Sequence, residues 1–559
     1  MSHPAIRLLV KLVNILILLA VVAAVGIVYW FAWRPLPQRS GTITAEVSAP
    51  VSVAFDGRGV PDIRAQNLED ALFVQGYVTA QERLWEIDAL RRYSAGDLAE
   101  ILGPSAIPTD EESCRLRLRR VAEESYTTLP AADRAAAAAY TRGVNAYIST
   151  HLGNLPLEFS LLQYQPRPWS VVDTLLICLH MFRDLTSTWR TELIKYNMLR
   201  GGEADKVNFL FPIRAGGDVQ VGSNAWAVSG AHTASGKPLL SNDPHLEYSL
   251  PCVWFMTHLE APGIDVSGVA LPGTPGVMIG HNQRIAWGIT NLGFDVQDLY
   301  IEQIDERTGR YMYQGQPQQA REEREIIRVK GNKPTETRTL VTRHGPIFAR
   351  EGDAFMALRW TASEPGVLQY PILDIDRAQN WTEFNAALAR FPGPGSNFVY
   401  ADVDGNIGYH AAGVLPIRKG FSGSLPLDGA SGKFEWDGFI PYAELPLVFN
   451  PPSGIIATAH QNPFPVNYPY NVDGNFAPPF RARQIRDMLT ARQSWHTADM
   501  ITVQKDVYSG FEKFLAGQVV AAYDRRQQHV PDMEDAIALL RKWDGQMDKD
   551  SAAPLIADL

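Results

Sequence analysis

Cysteine is nearly missing from this chain: Cys114, Cys178 and Cys252 are the only three in 559 residues. Three is odd and sparse, which excludes a disulfide framework. None stands at CxxC spacing or carries a His at ligand spacing, so all three read as small buried side chains. A long basic run is also missing, and the net charge is −10. Phosphate backbones need clustered Lys and Arg, so nucleic acid is not an expected partner. There is no HExxH motif, and His245, His258 and His281 lack the usual ligand spacing for zinc. No Gly-x-Ser-x-Gly elbow surrounds Ser223, which excludes the usual α/β-hydrolase signature. Gly393 to Gly395 carries proline and lacks a Gly-Lys-Ser ending, so no phosphate loop exists and no organic cofactor is expected.

What is present begins at the N-terminus. Arg7 and Lys11 precede an apolar run from Leu12 to Trp33, broken only by Asn14. At about 1.5 Å per residue that run spans a bilayer core of about 30 Å. It ends in Tyr29-Trp30-Phe31-Ala32-Trp33-Arg34-Pro35, a pattern expected of an interfacial aromatic belt. Basic residues before the run keep residues 1–11 cytoplasmic and send the bulk outward. Residues 12–33 thus read as an inner-membrane anchor with a periplasmic or other extracytoplasmic body; a cleaved signal is the alternative.

After the linker Pro35 to Gly41 the remainder has a globular composition, 46% hydrophobic and 20% charged. Its length suggests several domains or one large multi-layer domain. Val51 to Phe55 alternates as a strand, and Asp56 to Gly59 is a turn. Leu68 to Leu102 is helical by period, with Gly76 and Ala80 placed for close helix packing. Ala131 to Tyr147 and Val171 to Leu199 add further helices. Strand-like text starts at Ser223, with Asn224 to Ser229 alternating and a second strand from Leu239. Short apolar runs alternate with Gly, Pro, Asn and Asp up to about His460, and helix returns from Thr497 to Trp543. Asp550-Ser551 resembles a helix N-cap, but Leu555 to Leu559 leave that helix little room, so the sequence reads as truncated at its C-terminus. The order, helical then β-rich then helical, suggests α+β layers.

By itself, Gly222-Ser223-Asn224 before a strand is an ordinary turn. Several distant stretches change that reading together. Gly222-Ser223-Asn224-Ala225-Trp226, Asn242-Asp243-Pro244-His245, Gly280-His281-Asn282 with Ala286-Trp287-Gly288, Asp295 to Tyr300, and Asn397 with Tyr400-Ala401-Asp402 occur in one order. With Gln81-Glu82-Arg83-Leu84-Trp85 in the first helical region, the chain resembles the penicillin acylase family of N-terminal-nucleophile hydrolases over residues 45–559.

The resemblance implies a four-layer αββα sandwich and a self-cleaving precursor. The Ser223 hydroxyl attacks the Gly222 carbonyl, and hydrolysis of the ester frees an α chain (residues 34–222, mostly helical) and a β chain (residues 223–559). Any excised spacer before Ser223 is expected to be short. A terminal serine carries its own base, an α-amino group of pKa about 7.7–8.0, which the resemblance implies takes the hydroxyl proton through a bridging water. The family pattern puts oxyanion donors on the backbone N–H near Asn291 and the amide of Asn397. It puts an orienting side chain at His245 and an arginine that organises the α-amino group at Arg418. Asp295, Gln297 and Asp298 supply hard oxygens for a structural Ca²⁺, completed by Glu192 from the α chain. Leu246, with Met181 and Phe182, is expected to line an apolar acyl pocket. The implied reaction is hydrolysis of a linear carboxamide such as a penicillin, cephalosporin, acyl-homoserine lactone or acylated peptide. The competing expectation is an anchored, inactive or unprocessed binding protein of the same fold.

Overall fold

The computed structural model describes residues 4–202, 205–206, 222–246, 248–526 and 531–559. The expected short spacer before Ser223 falls on residues outside that set. The architecture is α+β, and the chain divides into two compact units.

The first unit comprises residues 1–180, 250–278 and 322–340. It opens with the apolar helix Pro4–Val28, continued by a π-helical turn Tyr29–Trp33. Ile6–Trp33 is long and apolar enough to cross a membrane, and none of it is buried against the protein. Two helices, Leu68–Ala95 and Ala131–His151, make the core. Asn67 caps the first through Asp70 N, and Gly96, at φ 76°, ends it in the left-handed region. The sequence pattern ran on to Leu102, but the chain restarts there as a separate turn of helix, Ala99–Leu102. The two long helices touch backbone to backbone. A Cβ on Gly76 would lie 2.1 Å from the Tyr140 carbonyl oxygen, and one on Gly143 1.8 Å from that of Phe73. Beside them, Pro61–Arg64 pairs antiparallel with Ser52–Phe55 and parallel with Phe255–Ala261.

The second unit comprises residues 181–249, 279–321 and 341–559. Ile285–Asn291, Ser396–Asp402, Ile407–Ala412 and Leu447–Phe449 form an antiparallel sheet in that order. A second, three-stranded sheet has Asn224–Val228 at its centre, between Ile455–Thr458 and Leu239–Asp243. Within the stretch read as β-rich lie two helices, Ile372–Arg377 and Trp381–Leu388. Asn380 caps the second, and Phe384 and Leu388 anchor it in the core. The closing helical region starts earlier than Thr497, at Phe480–Thr490, whose Ile485 and Leu489 pack under Trp226 and Val228. The final helix is Ala552–Asp558; Ser551 precedes it without a side-chain capping bond.

Candidate active site

Asn224–Val228 is paired on both edges, with Ala225 opposite Thr458 and Asn224 opposite Asp243. Its inward side chains explain why it stays there. Trp226 and Val228 are fully buried among Ala457, Leu489, Trp495 and Met500, and the Trp226 indole N–H meets the Met500 sulfur at 3.2 Å. Ser223 therefore sits at the end of a strand held from two sides. It is 7% exposed, and its hydroxyl bonds to no other described residue.

Gly222 precedes it without adopting left-handed backbone, so the glycine's role is space rather than conformation. Its N–H donates to the His245 carbonyl (3.1 Å), and a Cβ there would stand 2.1 Å from His245 Nε2. The imidazole thus lies against the Gly222–Ser223 bond. His245 Nδ1 faces the Asp243 carbonyl (3.0 Å) and carboxylate (3.2 Å). With acceptors on that side, a proton is assigned to Nδ1, and Nε2 is the ring nitrogen turned toward Gly222. Burial works against the Asp243 charge, but His245, the Asn224 amide and Arg481 outweigh it and hold this carboxyl below its ordinary range.

Asn242 ties this strand pair to the neighbouring sheet. Its Nδ2 donates to the Asn224 carbonyl (2.7 Å) and the Ile289 carbonyl (3.1 Å), while its Oδ1 accepts from Ile289 N–H (2.8 Å). Leu292 N–H donates to Gly395, so alternation along an antiparallel strand turns the Asn291 N–H to the other side, the side of the Asn242 clamp. Asn291 N–H is thus turned to the edge of its strand that faces the sheet of Asn224–Val228.

Asn397 is brought to Asn291, but not as a free donor. Its Nδ2 donates to Thr290 Oγ1 and the Asn291 carbonyl, both at 3.0 Å, and Tyr409 OH donates to its Oδ1 (2.6 Å). Both amide hydrogens are committed in a fully buried setting. The expected oxyanion amide is therefore a clamp on the backbone of Asn291.

Arg418 also stands elsewhere than expected. Its guanidinium donates to Asp298 Oδ2 (2.8 Å) and to the carbonyls of Asp295 (3.0 Å) and Gln297 (3.2 Å). The arginine beside Ser223 is Arg481, from the helix Phe480–Thr490. It reaches the Ser223 carbonyl (3.3 Å), Asn224 Oδ1 (2.9 Å) and the Ala459 carbonyl (3.1 Å). Burial lowers its pKa, with Asp243 opposing. Where the Ile455–Thr458 strand leaves the sheet, His460 is buried at φ 68°, and its Nε2 has no partner among the described residues. Burial first, then Arg481 and His245, push its pKa down to about 3, so it is neutral. Two residues on, half-buried Asn462 accepts from Phe464 N–H through Oδ1, and its Nδ2 has no acceptor among the described residues.

The expected calcium ligands gather around Arg418. Glu192 Oε2 accepts from Leu299 N–H (3.0 Å), and Asp295 Oδ1 accepts from Thr188 (2.6 Å) and Gln297 N–H (3.1 Å). Asp473, not foreseen, accepts from Ser422 and Gly423 N–H and gives its carbonyl to Asp295 N–H. Burial raises Asp295 to about 7 and lifts Glu192 and Asp298 above their usual range. Fully ionised, the four carboxylates would outnumber the two cations facing them, Arg418 and Lys195, by two charges. Glu192 Oε1 and Asp298 Oδ1 are buried without a donor, and Gly423 carries no Cβ over the latter. Hard, unsatisfied oxygens and, with the carboxylates ionised, a deficit of two positive charges fit a divalent cation. Among the described residues, however, no three such side chains are gathered into a closed metal cage.

The expected acyl-pocket residues differ in exposure. Phe182 is a core residue, 1% exposed, edge-on to Trp360 and filling the space over Gly393. Leu246 and Met181 are half-buried. Three residues after Phe182, the Leu185 carbonyl accepts from the Asn291 side chain (3.1 Å), so this helix end abuts the Asn291 strand.

The sequence pattern of the penicillin amidase family matches residues 50–559. Penicillin acylase 2 proenzyme of Pseudomonas sp. (strain SE83) is 30% identical over 93% of this chain and 72% of its own length. Acyl-homoserine lactone acylase QuiP of Pseudomonas aeruginosa is 29% identical over 85% of this chain, and the match spans 62% of that relative. The thermostable penicillin G acylase of Alcaligenes faecalis superposes with a TM-score of 0.52 at 24% identity, over 59% of this chain and 60% of that one, a likeness of fold. A family pattern covering nearly the whole chain, together with that fold, makes this chain a member of the penicillin amidase family of hydrolases that act on linear amides.

Proposed function

We propose that this chain is a self-cleaving acylase whose nucleophile is Ser223. The observation that carries the reading is the packing of His245 Nε2 against Gly222, beside a serine whose hydroxyl has no hydrogen-bond partner among the described residues. In the precursor Ser223 has no α-amine, and His245, oriented by Asp243, takes the hydroxyl proton. Ser223 Oγ adds to the Gly222 carbonyl, the C–N bond breaks, and the proton passes to the departing Ser223 nitrogen. Water then hydrolyses the ester, leaving a Gly222 carboxylate and a free Ser223 amine. The products are the region 34–222, still joined to the N-terminal anchor, and the region 223–559.

In turnover the new amine is the base for its own hydroxyl. Ser223 Oγ adds to an amide carbonyl, the amine product leaves with the proton, and water releases the carboxylic acid from the acyl-serine. Asn291 N–H supplies one oxyanion donor, positioned by Asn397 and Asn242. The Asn462 amide, whose Nδ2 has no acceptor among the described residues, supplies the second donor, and Arg481 holds the Ser223 carbonyl. Calcium, held by Glu192, Asp295, Asp298 and Asp473, would supply the missing counter-charge. The names of the relatives favour penicillins and acyl-homoserine lactones as the first substrates to assay. Residues 12–33 anchor the chain, with the body on the extracytoplasmic side.

Intact-mass measurement of the expressed chain and of Ser223→Ala tests the proposal. The parent should give two chains, the larger starting at Ser223, and the variant one chain with no acyl release. A soluble parent that stays unbroken would refute self-cleavage.

A further inference from the structure

At the foot of the N-terminal helix the first unit holds a cavity of about 320 Å³. Trp30, Arg34, Asn154, Phe159, Ser160 and Gln163 are among its walls, and no carboxylate lines it. The volume is at the low end of small-molecule sites, enough for a polar headgroup but not for a whole lipid.

Its position follows from the helix. The apolar stretch ends at Trp33, and the next residue is Arg34. The π-helical turn folds Arg34 back, its N–H donating to the Tyr29 carbonyl (2.8 Å), so that the guanidinium stands over the Trp30 ring at 4.3 Å. Asn154 Nδ2 donates to the Arg34 carbonyl (2.9 Å) and ties the turn to the globular body. In a membrane-inserted chain this places the cavity in the headgroup layer, where Trp and Arg side chains concentrate.

Two of its groups lack partners. Arg34 forms no ion pair with any described residue, although its guanidinium is half-buried. Asn154 Oδ1 is buried without a donor among the described residues. That amide cannot be flipped to relieve it, because Nδ2 is needed opposite the Arg34 carbonyl. A free guanidinium suits a phosphodiester, which it can grip through two N–H groups. A buried, unfilled acceptor suits a hydrogen-bond donor a few ångströms away, and the Ser160 hydroxyl and Gln163 amide add neutral polar contacts.

We propose that this cavity binds the headgroup of a membrane glycerophospholipid, with the phosphodiester on Arg34 and a headgroup hydroxyl or ammonium on Asn154 Oδ1. The inference rests on the membrane-anchor part of the reading above. Phosphatidylglycerol and phosphatidylethanolamine carry such a donor; phosphatidylcholine does not.

The test uses the full chain, delipidated in detergent, with the three lipids added at equal concentration and adducts counted by native mass spectrometry. Phosphatidylglycerol and phosphatidylethanolamine adducts should exceed phosphatidylcholine adducts by about fivefold or more, as expected for about 1 kcal/mol of lost hydrogen bonding. Arg34→Gln should lower adducts of all three lipids alike, by about fivefold or more, as expected for about 1 kcal/mol or more of lost phosphodiester contact, without lowering the melting temperature. Equal retention of the three lipids, or retention unchanged in Arg34→Gln, overturns the proposal. Carbonate extraction of membranes separates the two readings. If the chain washes off, the anchor reading fails, and calorimetric titration with soluble glycerophosphoglycerol, wild type against Arg34→Gln, still decides what the cavity binds; no heat in the wild type overturns it.

Discussion

The second unit contains two buried polar regions built on opposite plans. Around Ser223 the groups are mostly neutral amides and carbonyls, with one arginine, and nearly every bond fixes a backbone position. Around Arg418 the groups are charged, and carboxylates outnumber cations. On the proposed reading, the first region arranges reacting atoms. The second holds segments from distant parts of the chain together through charge, and removing one member leaves its partners uncompensated. Arg481 and Arg418 thus make different surroundings although both are arginines bound to carbonyls.

The widest separation is expected from truncating those two arginines in turn. Arg418→Ala strands Asp298 and Asp295 without their counter-ion and should lower unfolding free energy by about 3–5 kcal/mol, read by urea titration. Arg481→Ala should leave stability nearer the parent but slow processing and acyl release, up to about 100-fold, since small misplacements of a reacting group can cost that much. A stable Arg418→Ala protein that has lost only turnover would reverse the comparison and restore Arg418 to the catalytic site.

A smaller effect probes the join between amides and nucleophile. Asn397→Ala frees the buried Thr290 hydroxyl and Asn291 carbonyl from their donor and should cost about 1–3 kcal/mol. If Asn397 acts by holding Asn291, kcat should fall with KM little changed, and Asn397→Asp, which cannot donate to that carbonyl when ionised, should not rescue it. Direct oxyanion contact predicts a loss in kcat at unchanged stability.

The smallest effect comes from a charged cluster that serves as a control. His344 lies stacked on Tyr300 at 4.1 Å, between Glu302 (2.8 Å) and Glu435 (2.9 Å). Burial opposes its charge, but the two glutamates prevail and raise its pKa. A raised histidine contributes stability fully below its unfolded pKa, about 6.5, and loses that contribution as pH rises through the folded value. Melting temperature should therefore decline above about pH 6.5, and His344→Gln should flatten that decline without altering the acyl-release profile.

Much of the nucleophile's surroundings was legible in the sequence because it is local. Gly222-Ser223 and Asn242 to His245 lie on adjacent strands of one hairpin, so a motif in the text becomes a neighbourhood in space. Arg481 was not legible, because the chain returns to Ser223 only after 258 residues and nothing around Phe480 signals that return. Arg418 was misjudged for the same reason: a lone arginine in Pro416-Ile417-Arg418 does not show which carboxylates it will meet. Asn397 was seen at the right strand, but the sequence does not show that Tyr409, Thr290 and Asn291 use up its amide. Helices Ile372–Arg377 and Trp381–Leu388 were hidden because their short apolar runs resemble the strands around them.

Asn224–Val228 is hydrogen-bonded along both edges, and Arg481 grips the carbonyl of the residue before it. Chain ends usually fray. A cut made at Gly222 would create an end already stitched in place, a terminus in covalent terms with the rigidity of a strand interior. The amine released there would begin work without a search for its position, and the backbone break would add little disorder to the site that uses it.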